Sequence, residues 1–342
     1  KVSSIQAYDG LSLIAVDNAS AGDIILVAGS EEIEIGDTLC KKDAPVALER
    51  ITVDEPTIAM RFATNTSPLA GLDGEYVQSR KLRERLLKET RNNVALQLEE
   101  TDDADALLVK GRGEFQMAIL IETMRREGFE LTVGRPQILF KKDGEKVLEP
   151  IEQVFVDCDD SCVGVITEKL AVRKGIMRNL VNHGSGRVRM EFEVPSRGLV
   201  GYRNEFLTDT RGTGLMNTLL AGYEAYRGDM SSRSSGSLVS DRPGESVAYG
   251  LFHLEPRGSM FITAGQAVYK GMIIGEHNRE SDLHVNPTKA KKLSNMRASG
   301  KDESIVLTPI TPMTIERAIE YIKDDELVEV TPKNIRLRKA VL

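Results

Sequence analysis

The residues best suited to chemistry lie in one irregular stretch of the 342-residue chain, HNRESDLHVNPTKAKKLSNMRASGKDES at 277–304. Between His277 and Lys301 it carries Arg279, Lys289, Lys291, Lys292, Arg297 and Lys301 against only Glu280 and Asp282. That is a local charge of +4 in a chain of formal net charge −7. Lys and Arg at this density neutralise phosphates, while Asn286, Ser294, Asn295 and Ser299 supply groups that bond to backbone or sugar. Aromatic residues are absent from it, which argues against base stacking by the loop itself. Loops longer than ~15 residues without internal structure are functional or disordered, so composition leaves a phosphate-binding segment and a solvated loop both open. The candidate RNA-contacting set is Arg279, His284, Asn286, Lys289, Lys291, Lys292, Asn295, Arg297 and Lys301. A weaker second set is Arg197, Arg203 and Arg211; as isolated charges these are equally readable as solvated or paired surface residues.

Other chemistries find no support. The phosphate-cradling G-x-x-x-x-G-K-[ST] pattern is absent; Gly300-Lys301 lacks both the earlier glycine and the Ser/Thr. Gly184-x-Gly186 and Gly212-x-Gly214 lack the third glycine and the strand-then-helix setting of a dinucleotide site, and read as turns and helix ends. Cys158 and Cys162 have no second ligand pair at zinc spacing, and Cys40, Cys158 and Cys162 are too few for a disulfide framework. His183, His253, His277 and His284 keep no nucleophile-and-carboxylate company that defines a triad. The expectation is no catalytic residue, no metal and no cofactor in this chain.

The elements that must position these residues centre on 187–214, RVRMEFEVPSRGLVGYRNEFLTDTRGTG. Val188, Met190, Phe192 and Val194 alternate with charged residues, the period of a half-buried strand. Pro195-Ser196 breaks it, and Leu199, Tyr202 and Phe206 predict one helix ending at 212–214. Upstream, a strand at 57–65, a charged helix at 76–90, strands near 94–98 and 106–109, a helix through Met117, Leu120, Ile121 and Met124, and a strand at 131–133 spell βαββαβ. The pattern recurs from Pro150 to Ala221. The expected architecture is α+β and multidomain. Residues 1–54 form part of a β-barrel, and 55–135 and 136–222 are two ferredoxin-like units. Residues 223–342 form a mostly β domain with one helix, opened by Thr311 and Pro312, and strand-like at 247–254. No apolar run spans a membrane and no secretory signal is visible, which with three cysteines points to a reducing cytoplasm. The chain opens at Lys1 directly into strand-like sequence, as a fragment would.

Residues 193–214, with 111–128, 35–39, 250–255 and 286–301, carry a resemblance to the C-terminal part of the BipA/TypA family of bacterial translational GTPases, relatives of elongation factor G and LepA. The resemblance covers essentially the whole chain. It implies a partial domain II, domains III and V as the two ferredoxin-like units, and a C-terminal domain peculiar to the family. It implies that GTP and Mg²⁺ belong to a G domain not included here, so that this chain is not itself an enzyme. It also implies docking on the ribosome as a monomer, with the 277–304 loop near large-subunit rRNA and the acceptor end of A-site tRNA, and roles in subunit biogenesis, cold and stress adaptation and virulence control. The competing class is a protein-interaction scaffold in which the two sheets bind protein and the basic loop is incidental.

Overall fold

The computed structural model describes residues 2–29, 33, 35–41, 43–49, 55–182, 184, 186–230, 233–291 and 305–341. The chain divides into two compact units, Lys1–Val53 with Arg91–Val94, and Asp54–Thr90 with Ala95–Leu342.

In the first unit β1 (Ser4–Asp9) pairs antiparallel with β2 (Ser12–Ala15) and β3 (Ile25–Ala28), giving an open three-stranded sheet. It is not a closed barrel, and the apolar alternation of Ile33, Ile35 and Leu39 forms no strand among the described residues. Ile35-Gly36-Asp37 instead enters a turn, with Gly36 at φ +95 where a glycine meets no Cβ penalty.

In the second unit β4 (Ile58–Thr64), α1 (Ser79–Asn92), β5 (Gln97–Glu100), β6 (Ala106–Gly111), α2 (Glu114–Arg126) and β7 (Leu131–Val133) follow in turn. The strands lie in the order β7-β4-β6-β5, fourth-first-third-second, the arrangement in which two βαβ halves interleave. Met117, Leu120, Ile121 and Met124 of α2 are all buried against this sheet, which is why their spacing of three, one and three was visible. Short β8 (Gln137–Ile138) pairs with β4, and β9 (Lys141–Asp143) leads into β10 (Lys146–Asp159).

After β10 the order repeats: α3 (Val163–Val172), β11 (Ile176–Asn182), β12 (Arg187–Pro195), α4 (Ser196–Leu199), α5 (Tyr202–Asp209) and β13 (Leu215–Ala225), with sheet order β11-β12-β10-β13. Val188, Met190, Phe192 and Val194 are buried, each contributing about 1.5–3 kcal/mol relative to exposure. The single helix expected at 199–206 is two. Val200 is extended at ψ 121 and Gly201 is left-handed at φ +76, so the chain turns between α4 and α5.

The C-terminal elements are β14 (Ser237–Ser240), β15 (Gly244–Glu245), α6 (Ala248–Leu254), β16 (Gly258–Met260), β17 (Ala267–Val268), β18 (Met272–His277), β19 (Leu283–Val285), α7 (Ile315–Tyr321), β20 (Glu326–Val330) and β21 (Ile335–Lys339). The stretch read as a strand at 247–254 is helix α6, so the described residues here hold two helices where one was expected. The helix after Pro312 is capped by Thr314, whose Oγ1 accepts the Arg317 N–H, rather than by Thr311. Strand β20 pairs antiparallel with β7, Val328 opposite Val133 and Val330 opposite Leu131. The C-terminal strands therefore continue the sheet of the first βαββαβ unit, making eleven strands with its two short side branches. An edge that would otherwise expose unpaired N–H and C=O groups is closed by residues two hundred positions away.

Candidate nucleic-acid interface

The basic stretch is less irregular than its sequence. His277 ends β18 buried, its Nδ1 donating to the Ser281 carbonyl at 2.6 Å. Arg279 is exposed in the turn that follows, while its own carbonyl accepts from Gly236 N–H at 2.6 Å. Then β19 runs parallel to β14, with His284 exposed between buried Val285 and half-buried Leu283. His284 lies near the Asp241 carboxylate, whose acidity is increased first by its bond to Arg242 and in smaller part by this histidine. A strand of three residues spans about 10 Å, so β19 separates Arg279 at its start from Lys289 and Lys291 beyond its end.

Past β19 the chain is fixed by a local turn. Asn286 Oδ1 accepts from both the N–H and the hydroxyl of Thr288 at 2.9 Å, so this oxygen serves the loop's root. The root also seats against α6: Val247 N–H donates to the Pro287 carbonyl at 3.0 Å. A Cβ on Gly250 would meet that carbonyl oxygen at 2.5 Å and Lys289 N at 3.3 Å. Only a glycine allows this approach of backbone to backbone. Lys289 and Lys291 emerge exposed from the root. Lys292, Asn295, Arg297 and Lys301 lie outside the described residues.

The second arginine set divides between one half-buried and two exposed side chains. Arg197 is spent internally: Nε and Nη2 grip the fully buried Glu149 carboxylate at 2.5 and 3.2 Å, and Nη2 also donates to the Gly228 carbonyl at 2.6 Å. Its guanidinium covers the Tyr226 ring at 4.4 Å. Arg203 is exposed on α5 and stacks over Phe115 at 4.9 Å from the ring centre. Arg211 is exposed at φ +51 in the turn after α5. Burial pushes the Cys158 thiol up to about 11, assisted by Cys162, which leaves it protonated and inert as a nucleophile at neutral pH. No group of three or more potential metal ligands occurs among the described residues.

Three exposed or half-exposed rings beside the loop root were hidden in the sequence: Tyr249, Phe252 and His253 of α6. Read as a strand, positions 249 and 253 share a face but stand about 13 Å apart; on a helix they are adjacent turns of one face.

Residues 146–234 match the model of the elongation factor G C-terminus, and 235–342 match that of the TypA/BipA C-terminal domain. A protein of Escherichia coli (strain K12) named large ribosomal subunit assembly factor BipA is 48% identical over 340 residues, 99% of this chain. The chain belongs to the TypA/BipA family. A Haemophilus influenzae relative of the same name is 47% identical over all of the chain, and one of Buchnera aphidicola subsp. Schizaphis graminum 46%. The chain spans 56% of the length of these curated relatives. The TypA/BipA match contains α6, the loop root and the whole basic stretch. No helix among the described residues is long and apolar enough to cross a membrane.

Proposed function

We propose that this chain is the ribosome-docking portion of a large-subunit assembly factor, and that its basic loop binds ribosomal RNA. The observation that carries the reading is near-half identity, along the entire chain, to factors named for that assembly. In this reading 1–54 belongs to domain II, 55–135 and 136–222 are the ferredoxin-like domains III and V, and 223–342 is the family's own C-terminal domain. GTP and Mg²⁺ are bound and turned over by a G domain outside these 342 residues. The protein works as a cytoplasmic monomer, with its loop against large-subunit rRNA and the acceptor end of A-site tRNA.

The physics is counterion release. Lys289, Lys291, Lys292, Arg297 and Lys301 follow one another within thirteen residues, and each phosphate they neutralise frees condensed cations from the RNA. The anchored root fixes the backbone at 287–289 before binding, lowering the entropic cost that charge neutralisation has to offset. Arg279, His284 and the Asn286 amide extend the contact; Arg203 and Arg211 form a separate minor one.

Co-sedimentation with purified large ribosomal subunits across a salt series tests this. Binding by the parent chain weakens steeply with salt. Replacing Lys289, Lys291, Lys292 and Arg297 together by Ala flattens the log–log slope by about 3 and lowers affinity by at least ~tenfold near 0.1 M salt. An unchanged slope and affinity would overturn the loop assignment and return the scaffold reading to first place.

A further inference from the structure

We infer that Tyr249, His253 and Phe252 of α6 form a stacking platform for an unpaired RNA base, placed beside the cationic loop root. The inference rests on the RNA-binding reading above and adds to it a base-contacting element that the loop's own sequence lacks.

The three rings form one row. Tyr249 and His253 are 4.3 Å apart between ring centres at 47°, and Phe252 meets His253 edge-on at 5.8 Å and 80°. His253 Nδ1–H donates to the Tyr249 carbonyl at 2.8 Å, which fixes the imidazole and leaves Nε2 facing outward as a hydrogen-bonding group. The helix is held from below by Leu251, 1% exposed, while Phe252 stays 46% exposed. An exposed aromatic row on an otherwise anchored short helix does not serve the core.

The backbone contact described above sets its position relative to charge. Gly250 faces Pro287 and Lys289. Residues advance about 100° each around a helix, so His253 lies about 60° from Gly250, Tyr249 about 100° and Phe252 about 160°; His253 borders the loop root, and the row extends from it around the helix onto the exposed face. Lys289 and Lys291 leave that root exposed, and Lys292 follows in sequence. Cations that track phosphates next to rings that accept a π-face are the two parts of a single-strand site. The charge complement selects a polyanion over an apolar peptide, and the rings require a base free of its stack, which a duplex does not offer.

A short single-stranded RNA carrying one 2-aminopurine, titrated into the intact chain, reads both parts separately. F252L/H253L keeps apolar bulk and removes two of the three rings. It weakens binding about tenfold and strongly reduces 2-aminopurine quenching, with the salt slope unchanged and the thermal melt matching the parent. F252Y alone retains affinity within twofold, and the fully paired form of the same RNA binds parent and F252L/H253L alike. K289A/K291A does the reverse, flattening the slope and keeping the quenching. Equal affinity and quenching for parent and F252L/H253L, with K289A/K291A still flattening the slope, would overturn the platform and leave the RNA reading intact. If K289A/K291A also changed nothing, both would fall. Loss of large-subunit binding by F252L/H253L without loss of RNA binding would mean that the rings meet a ribosomal protein, and would overturn the proposal. F252L alone, at an exposed position, supplies the same reading should the double variant fold poorly.

Discussion

Replacing Glu329 by Ala lowers the unfolding free energy of the Asp54–Leu342 unit by about 3–5 kcal/mol, the range for breaking a buried charge pair from one side. Glu329 is fully buried on β20, and four donors from three parts of the chain converge on its carboxylate. They are Asn65 Nδ2 at 3.2 Å, Ser67 Oγ at 2.9 Å, the Tyr269 hydroxyl at 2.7 Å and Arg336 Nη1 at 2.9 Å. Asn65 and Ser67 follow β4, whereas Tyr269 and Arg336 belong to the C-terminal elements, so this one side chain ties together the two parts of the chain that meet in the middle of the continuous sheet. Burial, reinforced by the adjacent Glu329 charge, holds the Tyr269 hydroxyl protonated far above its ordinary range, as a donor must be. Removing the carboxylate strands the Ser67 and Tyr269 hydroxyls at about 1–3 kcal/mol apiece, whereas Asn65 Nδ2 keeps the Glu130 carboxylate at 3.2 Å. Arg336 keeps Asp73 at 3.6 Å as a second partner, which places the outcome toward the lower end of the range. Glu329→Gln retains the shape and one acceptor and loses less. Urea denaturation reads the difference directly. A loss below about 1 kcal/mol for the Ala variant would mean that water enters the site and that the sheet is held by its backbone ladder alone.

The interleaved units were legible because their signals are local. The alternation of Val188 to Val194 and the helical spacing of Met117 to Met124 each report a face buried within one element, and both faces are buried. What escaped was non-local or depended on a single backbone angle. Nothing in Glu326–Val330 says that its partner is Leu131–Val133, since any apolar strand pairs equally well by composition. The break between α4 and α5 turns on Gly201, whose left-handed φ leaves the apolar spacing of Leu199, Tyr202 and Phe206 unchanged. Residues 248–254 alternate poorly and are too few to display a full helical period, so α6 and its rings were lost together. Of the candidate site, charge and loop position were readable. That Arg197 is consumed by Glu149, and that Asn286 Oδ1 closes a turn, required the partners in space.

Glu114→Gln stabilises the protein at pH 8 by about 2–3 kcal/mol and changes little at pH 5. Glu114 opens α2, and both of its carboxylate oxygens receive the Gly201 N–H, at 3.0 and 2.9 Å. Glu320 of α7 closes the same site: it accepts from Asn204 Nδ2 at 3.3 Å, and its side chain occupies the space that a Cβ on Gly201 would need. Elements of both βαββαβ units and of the C-terminal part thus meet around one glycine. Burial pushes Glu114 up to about 7, with the like charges of Glu320 and Glu152 adding to it and the Gly201 N–H and Arg173 opposing. The unfolded chain releases this proton near the ordinary 4.5. Between those values the folded state binds more protons than the unfolded one, so stability falls as pH rises through the window and the cost is complete above about 7. A shift of that size corresponds to roughly 3 kcal/mol, and glutamine, which cannot ionise, escapes it while keeping one acceptor for Gly201. Burial raises Glu320 and Glu152 in the same direction, so the parent's own pH profile sums three groups. The difference between parent and variant reports Glu114 together with its coupling to those two carboxylates, provided both are melted over pH 5–8. A difference that stays flat across that range would show the carboxylate ionised throughout. Arg173 rather than the backbone of Gly201 would then be the partner that decides how the three parts hold together.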